Sequence, residues 1–199
     1  ALKNFALMML LESGDAHWQE KAEEQYELAN NMSDRFAALQ ALVAVNAPQA
    51  TNALADFYQR FADDALVIDK WFALQAIRPA QEGVSILPDI KALMQHSAFK
   101  LNNPNRVRSL IHAFCLNNPA GFHQSDGSAY AFWAECVIAL DELNPQVAAR
   151  LARGLDRWPK FAKPYAKQMV LALQHVAKAK RLSPDVHEVV TKALAAKLS

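Results

Sequence analysis

The sequence predicts an all-α protein, and three observations favour this class: its composition, its helix-start motifs and the spacing of its apolar residues. Of the 199 residues 37 are alanine and only five are glycine. Alanine and leucine have the highest helix propensities, and long β-branched runs that would favour strands are missing. A chain of this length buries roughly 70% of the surface that it exposes when unfolded, so one core can form without disulfides or metals.

Asparagine–proline pairs predict several helix starts. The asparagine side chain can accept a hydrogen bond from a free N–H of the first turn, and proline is tolerated at the first helical position because its nitrogen needs no partner there. Such pairs occur at Asn103-Pro104, Asn118-Pro119 and Asn144-Pro145. We expect Ser33-Asp34 and Ser183-Pro184-Asp185 to start helices in the same way.

Apolar residues follow these starts at three- and four-residue spacing, as in Phe36, Leu39 and Val43, which predicts amphipathic helices. The predicted helices lie near residues 2–12, 16–30, 34–45, 49–61, 64–77, 88–95, 105–116, 128–142, 146–156, 164–180 and 185–197. The short loops between them favour antiparallel neighbours. The expected fold is a right-handed α-α superhelix of antiparallel helix hairpins, similar to HEAT or armadillo solenoids.

The same pattern predicts how the chain is organised. No Gly/Ser linker or low-complexity tract interrupts the sequence, so we expect one domain over residues 1–199. A periodic helix is already under way at Ala1, which is not a methionine. We therefore expect this domain to be the C-terminal fragment of a larger multidomain protein.

Charge and cysteine content exclude several classes of protein. The formal net charge is +1, so we expect neither a nucleic acid nor a membrane partner. Residues 1–99 carry 7 basic and 13 acidic side chains, whereas residues 100–199 carry 14 and 7. Cys115 and Cys136 lie in apolar helical stretches, which predicts buried thiols in a reducing compartment, the cytoplasm. No apolar run approaches the ~20 residues of a membrane span.

A search for metal ligands gives a negative result. His187-Glu188 begins like the H-E-x-x-H motif of zinc peptidases, but Thr191 occupies the position of the second histidine ligand. His112, Cys115, His123 and Cys136 contain only one close pair, whereas structural zinc sites usually carry paired short spacings. We expect no metal site in this chain.

Catalytic motifs are likewise missing. With five glycines the chain contains no phosphate-binding loop and no G-x-S-x-G elbow. A hydrolase using Cys115 with His112 is disfavoured, because a reactive cysteine needs an exposed setting and this one is flanked by apolar residues. We interpret the carboxylate pairs Asp63-Asp64 and Asp141-Glu142 as helix caps and solvated turns. We expect no catalytic residue in this chain.

Several longer segments carry a resemblance to a known family. The central ones are N-P-N-R-V-R-S-L from Asn103, F-H-x-x-D-G-S-x-Y from Phe122 and N-P-Q-V-A-A-R from Asn144. They resemble segments of the C-terminal domain of bacterial aminopeptidase N. Five further segments resemble the same family: Leu2-Lys3-Asn4, Asn31 to Asp34, Leu66 to Trp71, Leu182 to Asp185 and Lys192 to Leu194. The resemblance is collinear and extends over essentially all 199 residues. One departure is Ala129, where that family often has glycine, which we expect to stiffen the loop.

The resemblance implies a non-catalytic domain of a zinc metalloaminopeptidase that removes N-terminal residues from peptides. The zinc ion and its H-E-x-x-H ligands would belong to the catalytic domain of the parent chain. Catalytic and N-terminal domains of that chain, and its peptide substrates, are the implied partners. This domain would close over the active site, shape its chamber and control substrate access.

Three residues are placed near that chamber by the resemblance: Arg108, Gln146 and Arg150. An arginine fork can hold a peptide carboxylate bidentately, and an interdomain salt bridge is an equal alternative. Arg108 and Arg150 both fall in the first or second turn of a predicted helix, where the dipole disfavours a cation and so favours a partner carboxylate.

The alternative function is an independent HEAT- or TPR-like scaffold that binds a peptide or protein on its concave face. A coding sequence that continues upstream of Ala1 into an H-E-x-x-H helix would exclude it.

Overall fold

The computed structural model describes residues 2–81 and 83–196, and every regular element within these ranges is helical. Two compact units are distinguished, residues 1–79 and residues 80–199, and each is described by itself. The single domain expected over residues 1–199 stays a prediction. In the described part of the chain, no helix combines the length and apolar character needed to cross a bilayer.

In the first unit the described residues form five helices, and their bounds agree with the predicted ones to within a residue or two. They are α1 (Leu2–Leu11), α2 (Ala16–Leu28), α3 (Met32–Ala44), α4 (Ala50–Phe61) and α5 (Ala65–Ala76). Helix α3 packs against α1, α2, α4 and α5, and it buries Ala38, Leu39, Ala41, Leu42 and Val43. The core of this unit is therefore built around α3.

The second unit contains longer helices and several short ones. Its α-helices are α6 (Leu87–Met94), α7 (Pro104–Val107), α8 (Ala113–Asn117), α9 (Pro119–Phe122), α10 (Ser128–Leu143), α11 (Pro145–Ala152), α12 (Lys163–Ala177) and α13 (Pro184–Ala195). A π-helical turn, Arg108–His112, joins α7 to α8, and 3₁₀ turns lie at Arg153–Leu155 and Trp158–Lys160. The sequence predicted the start of α9 at Asn118-Pro119 but gave no bounds for that helix, and it predicted regular helix where the π turn and the first 3₁₀ turn lie. The predicted end of the last helix at residue 197 lies outside the described residues.

Four of the predicted helix caps are confirmed. The side chains of Asn103, Asn118 and Asn144 accept hydrogen bonds from backbone N–H groups at the starts of α7, α9 and α11. The Ser183 side chain does the same for α13. Each cap satisfies a donor that has no partner inside its helix, which explains why these helices begin where the sequence places them.

The predicted start of α3 at Ser33-Asp34 was wrong. The helix begins at Met32, and the cap is Asn31, whose side chain accepts from the N–H of Asp34 at 2.9 Å. The carboxylate of Asp34 instead accepts a hydrogen bond from the side chain of Asn4 at 2.9 Å, which ties α1 to α3. An acidic residue in the first turn interacts favourably with the helix dipole even when it is not the cap.

Two helix hairpins stack in the second unit. Helix α10 packs against α11 and α12, and α13 packs against α11 and α12. Hairpin α10–α11 therefore lies on hairpin α12–α13, with α10 on α12 and α11 on α13. The chain reverses its direction at Asn144, which is both the C-terminal cap of α10 and the N-terminal cap of α11. The indole N–H of Trp133 on α10 donates to the carbonyl of Leu151 at 2.9 Å, which fixes α11 against α10.

The second hairpin is tied in place by a buried carboxylate. We predicted Asp141 to be a solvated helix-end residue, but it is buried and its carboxylate accepts hydrogen bonds from the backbone N–H of Ser183 at 2.7 Å and from its hydroxyl. Its neighbour Glu142 is exposed, as predicted. The prediction failed for Asp141 because the start of α13, distant in the chain, covers that side of α10.

Candidate functional site

The first predicted site residue, Arg108, opens the π-helical turn of the second unit. Helical structure is continuous from Pro104 to Asn117, but between Arg108 and His112 the backbone widens into a π turn where the sequence predicted regular helix. π turns inside α-helices are rare, and many of those that do occur lie at functional sites. Arg108 is exposed on this turn, and its guanidinium donates to the side chain of Asn105 at 3.3 Å.

The other two predicted residues lie on α11. Gln146 and Arg150 are four residues apart and exposed, so they share one helix face. Arg150 falls in the last turn of α11, because the helix ends at Ala152. A cation there is favoured by the helix dipole. The dipole argument for a partner carboxylate was therefore wrong for Arg150, since the predicted helix was too long.

The positive charges of Arg108 and Arg150 both act on His112, which is buried. Burial lowers the pKa of His112 to about 4, and the positive charges of Arg150 and Arg108 contribute to the lowering, while the backbone of Val147 at the start of α11 has a smaller, opposing effect. His112 is therefore neutral at pH 7. Its Nε2 atom is buried and has no hydrogen-bond partner in the described part of the protein.

The arrangement has a clear chemical preference. Two guanidinium groups act electrostatically on a buried imidazole, and that of Arg150 shares its helix face with the amide side chain of Gln146. Guanidinium forks bind carboxylates through paired hydrogen bonds, and the neutral histidine adds no third positive charge. Arg108 and Arg150, with Gln146 on the same helix face as Arg150, form the candidate site, and paired guanidinium groups are suited to an anionic group such as a carboxylate. From the sequence, His112 was considered only as a metal ligand and as a partner for Cys115.

The pKa of His112 gives a direct test of this geometry. We expect its imidazole to titrate near pH 4 in an NMR titration of the folded chain. Since the unfolded pKa is near 6.5, the unfolded state binds the proton first, so His112 should stabilise the fold fully above that value and lose its contribution as the pH falls toward 4. A His112→Gln variant should lack this part of the stability profile.

Single arginine variants locate the charges in the same experiment. Arg150→Ala and Arg108→Ala should each raise the pKa of His112, because each removes a nearby positive charge. Arg153→Ala is the matched control, since this exposed arginine on the neighbouring turn is not among the charges that act on His112. A His112 pKa near 6.5 in the unmodified chain would contradict the arrangement.

The pair of Cys115 as nucleophile and His112 as base, considered from the sequence, is disfavoured by the surroundings of both residues. Cys115 and Cys136 are buried free cysteines. Burial raises the pKa of Cys115 well above its ordinary value, so its thiolate is not available near neutral pH. Burial and the two arginines lower the pKa of His112, which makes it a poor base for that thiol.

The described residues do not fit a zinc site. Across residues 2–81 and 83–196, no group of three or more histidine, cysteine, aspartate or glutamate side chains could hold a metal ion. His123, one of the four ligands considered, instead lies 3.0 Å from the hydroxyl of Tyr130 and stacks near Phe161. His187 and Glu188 are exposed on α13, where Glu188 pairs with Lys192.

The F-H-x-x-D-G-S-x-Y segment leads into α10. The Asp126 carboxylate accepts hydrogen bonds from the N–H of Ser128 at 3.0 Å and from its hydroxyl at 2.9 Å. Gly127 has φ +75°, a left-handed conformation that residues with a side chain rarely adopt, so glycine is strongly favoured there. Ala129, expected to stiffen this loop, is instead buried within α10.

Comparison with known proteins places the chain in a family. Residues 1–195 match the DUF3458_C family, described as a domain of unknown function with ARM repeats. Aminopeptidase N of Escherichia coli K12 is 40% identical over 191 residues, which cover 96% of this chain and 22% of that protein. Aminopeptidase N of Haemophilus influenzae Rd is 42% identical over 172 residues, covering 86% of this chain and 19% of that protein.

A solved structure agrees in fold. Legionella pneumophila aminopeptidase A, crystallised in complex with aspartic acid, superposes with a TM-score of 0.87 at 32% identity over 97% of this chain and 22% of that chain. The chain thus spans about a fifth of the length of these relatives. The predicted class, an all-α superhelix of the armadillo kind, is confirmed. The chain belongs to the DUF3458_C family of ARM-repeat domains, and the resemblance to aminopeptidase N stated from its sequence is borne out by its relatives.

Proposed function

We propose that the chain is the non-catalytic C-terminal domain of a zinc-dependent aminopeptidase N, which removes N-terminal amino acids from peptides. In this proposal the domain closes over the active-site chamber, shapes it and controls substrate access. Its partners are the catalytic and N-terminal domains of the same longer polypeptide and the peptide substrates. The zinc ion is held by the catalytic domain, and the described residues of this chain perform no bond cleavage themselves.

The observation that carries the proposal is that the charges of two exposed arginines, Arg108 and Arg150, both act on one buried histidine. These two arginines and Gln146 line the chamber and hold the C-terminal carboxylate of a short peptide. The carboxylate is the one charge that every peptide substrate carries at the end opposite the scissile bond. A fixed anchor for it would favour peptides whose length matches the distance from the anchor to the catalytic centre.

The buried cysteines support the cytoplasmic location included in the proposal. Cys115 and Cys136 are free although both lie in the core of the same unit. Free thiols of this kind are typical of a reducing compartment.

Arg150→Ala in the full-length enzyme tests the anchor. On a tripeptide with a free C-terminus we expect kcat/KM to fall roughly tenfold, which corresponds to the loss of about one charge-assisted hydrogen bond. On the same peptide with an amidated C-terminus the variant and the parent should be nearly equal, because the interacting carboxylate is missing. Zinc content should be unchanged.

The matched control is Arg153→Ala, which removes an exposed arginine from the neighbouring turn and should leave both substrates unaffected. An equal loss on the free and amidated peptides would refute carboxylate binding. A fall in stability with unchanged kinetics would mean that Arg150 pairs with an acidic residue of another domain. No change in either quantity would place Arg150 on a solvated surface outside the chamber.

A further inference from the structure

A groove of about 310 Å³ lies within the second unit, between α6 and one face of α10. Helix α10 supplies Phe132, Glu135, Cys136 and Ala139. The last three follow Phe132 by three, four and seven residues, a spacing that places all four on one face of the helix. Phe132 and Cys136 are buried, whereas Glu135 and Ala139 are exposed. This face of α10 therefore gives the groove an apolar floor with a carboxylate at its rim.

Helix α6 supplies the opposite wall of the groove. Lys91 and Met94 lie in its last turn, Gln95 ends the helix, and Leu101 comes from the chain that follows. Met94 and Leu101 are half-buried, while Lys91 and Gln95 are exposed. Both walls thus have the same arrangement, with apolar side chains inside the groove and polar groups at its rim.

The rim carries two opposite charges that are not paired. The Lys91 ammonium lies 6.0 Å from the centre of the Phe132 ring, within the range of a cation–π interaction. Neither Lys91 nor Glu135 forms an ion pair with a described residue. Burial, the main cause, and Glu135 raise the pKa of the Cys136 thiol to about 12, while Lys91 opposes the rise. One cation and one anion therefore act on the same buried thiol in the floor of the groove.

This combination of charges and apolar surface selects a class of ligand. Small-molecule sites are mostly apolar cavities of about 300–1,000 Å³ in which a few polar groups fix the orientation of the ligand. The groove is at the small end of that range. An α-amino acid carries an ammonium and a carboxylate on one carbon atom, with its side chain beside them. Such a ligand complements an unpaired cation and an unpaired anion above an apolar floor.

We propose that this groove binds a free α-amino acid with an apolar side chain, held by Lys91 at its carboxylate and by Glu135 at its ammonium. Phe132 and Cys136 form the surface against which the side chain of the ligand packs. A peptide fits less well, because its two terminal charges lie at least one peptide unit apart. The inference does not depend on the proposed function, since neither Arg108 nor Arg150 lines this groove.

Proton–nitrogen NMR of the 199-residue chain during titration with L-leucine tests the proposal. We expect saturable shift changes at the amides of Met94, Leu101 and Ala139, with a dissociation constant on the order of 1 mM for so small a ligand. Isocaproate lacks the ammonium and isoamylamine lacks the carboxylate, so each should bind about fivefold more weakly. Glycine should also bind more weakly, because it has no side chain to bury.

Two charge variants identify the contacts. Lys91→Met and Glu135→Gln should each weaken the binding of L-leucine about fivefold, because each removes one of the two charges that hold it. Lys160→Met and Glu142→Gln are the matched controls and should leave binding unchanged. Both remove exposed charges of the same unit outside the groove, and Glu142 lies on α10 as well. All four variants change exposed side chains, so circular dichroism should show an unchanged helix content.

Three results would overturn the proposal. The first is the absence of shift changes in the groove at L-leucine concentrations far above the expected dissociation constant. The second is equal binding of L-leucine and isocaproate, since the ammonium would then not be recognised. The third is a set of shift changes confined to the surroundings of Arg108 and Arg150, which would assign the carboxylate to those arginines. That last result would favour the proposed function while contradicting this inference, so the two proposals can fail separately.

Discussion

Trp133→Ala is expected to lower the free energy of unfolding by about 3–5 kcal/mol, the usual range for removing a large aromatic side chain from a core. Trp133 is fully buried in the middle of α10, and Gly154 lies close to its indole ring. The substitution removes both its packing and the hydrogen bond to the Leu151 carbonyl. Urea denaturation followed by far-UV circular dichroism measures the change without relying on tryptophan fluorescence.

Trp133→Phe separates the two contributions. It keeps much of the aromatic volume and removes the indole N–H, so we expect a smaller loss, about 1–2 kcal/mol. Both substitutions also loosen α11, which carries Gln146 and Arg150. The pKa of His112 should therefore rise in Trp133→Ala, since Arg150 would be less firmly held near it. Equal stability of the alanine variant and the unmodified chain would mean that the α10–α11 interface is not a core.

Asp141→Ala is expected to cost about 2–3 kcal/mol, the range for losing hydrogen bonds to a charged acceptor and leaving a buried donor unpaired. The Asp141 carboxylate accepts from both the N–H and the hydroxyl of Ser183, and so holds the start of α13 against α10. Without it, the Ser183 N–H loses its acceptor at a partly buried position. The free energy of unfolding from urea titration checks this value.

Two further variants serve as controls for Asp141→Ala. Glu142→Ala removes the adjacent carboxylate, which is exposed, and should change stability by less than about 0.5 kcal/mol. Ser183→Ala removes the hydroxyl that both donates to Asp141 and caps α13 through the Val186 N–H, so about 1 kcal/mol is expected. If Glu142→Ala were as damaging as Asp141→Ala, the effect would come from helix propensity or charge and not from the contact with Ser183.

Local signals in the sequence were sufficient for the helices and most of their starts. Composition and apolar spacing predicted the all-α class, and Asn103, Asn118, Asn144 and Ser183 marked helix starts because a cap acts on N–H groups only two or three residues away. The start of α3 was missed since Asn31 and Ser33 are both good caps. Sequence alone does not decide which of two neighbouring polar residues takes the position.

The role of the candidate site stays a prediction. Its exposed members, Arg108, Gln146 and Arg150, came from the family resemblance, and in the structure the charges of Arg108 and Arg150 both act on His112. His112 was not assigned to this site, although its four-residue spacing from Arg108 was visible in the sequence. Spacing alone cannot show that α11, far along the chain, delivers a second arginine to the same histidine.

The sequence by itself determined where this chain is helical, since capping and amphipathic spacing act over a few residues. Only the tertiary structure decided which side chains are buried among distant partners. Asp141 and Glu142 are adjacent carboxylates at the end of one helix, yet one is buried against Ser183 and the other is exposed. On α1, Phe5 and Met9 have the same four-residue spacing as Leu7 and Leu11, yet only Leu7 and Leu11 are buried. Burial depends on which helices meet, and that is fixed by the packing of the whole unit.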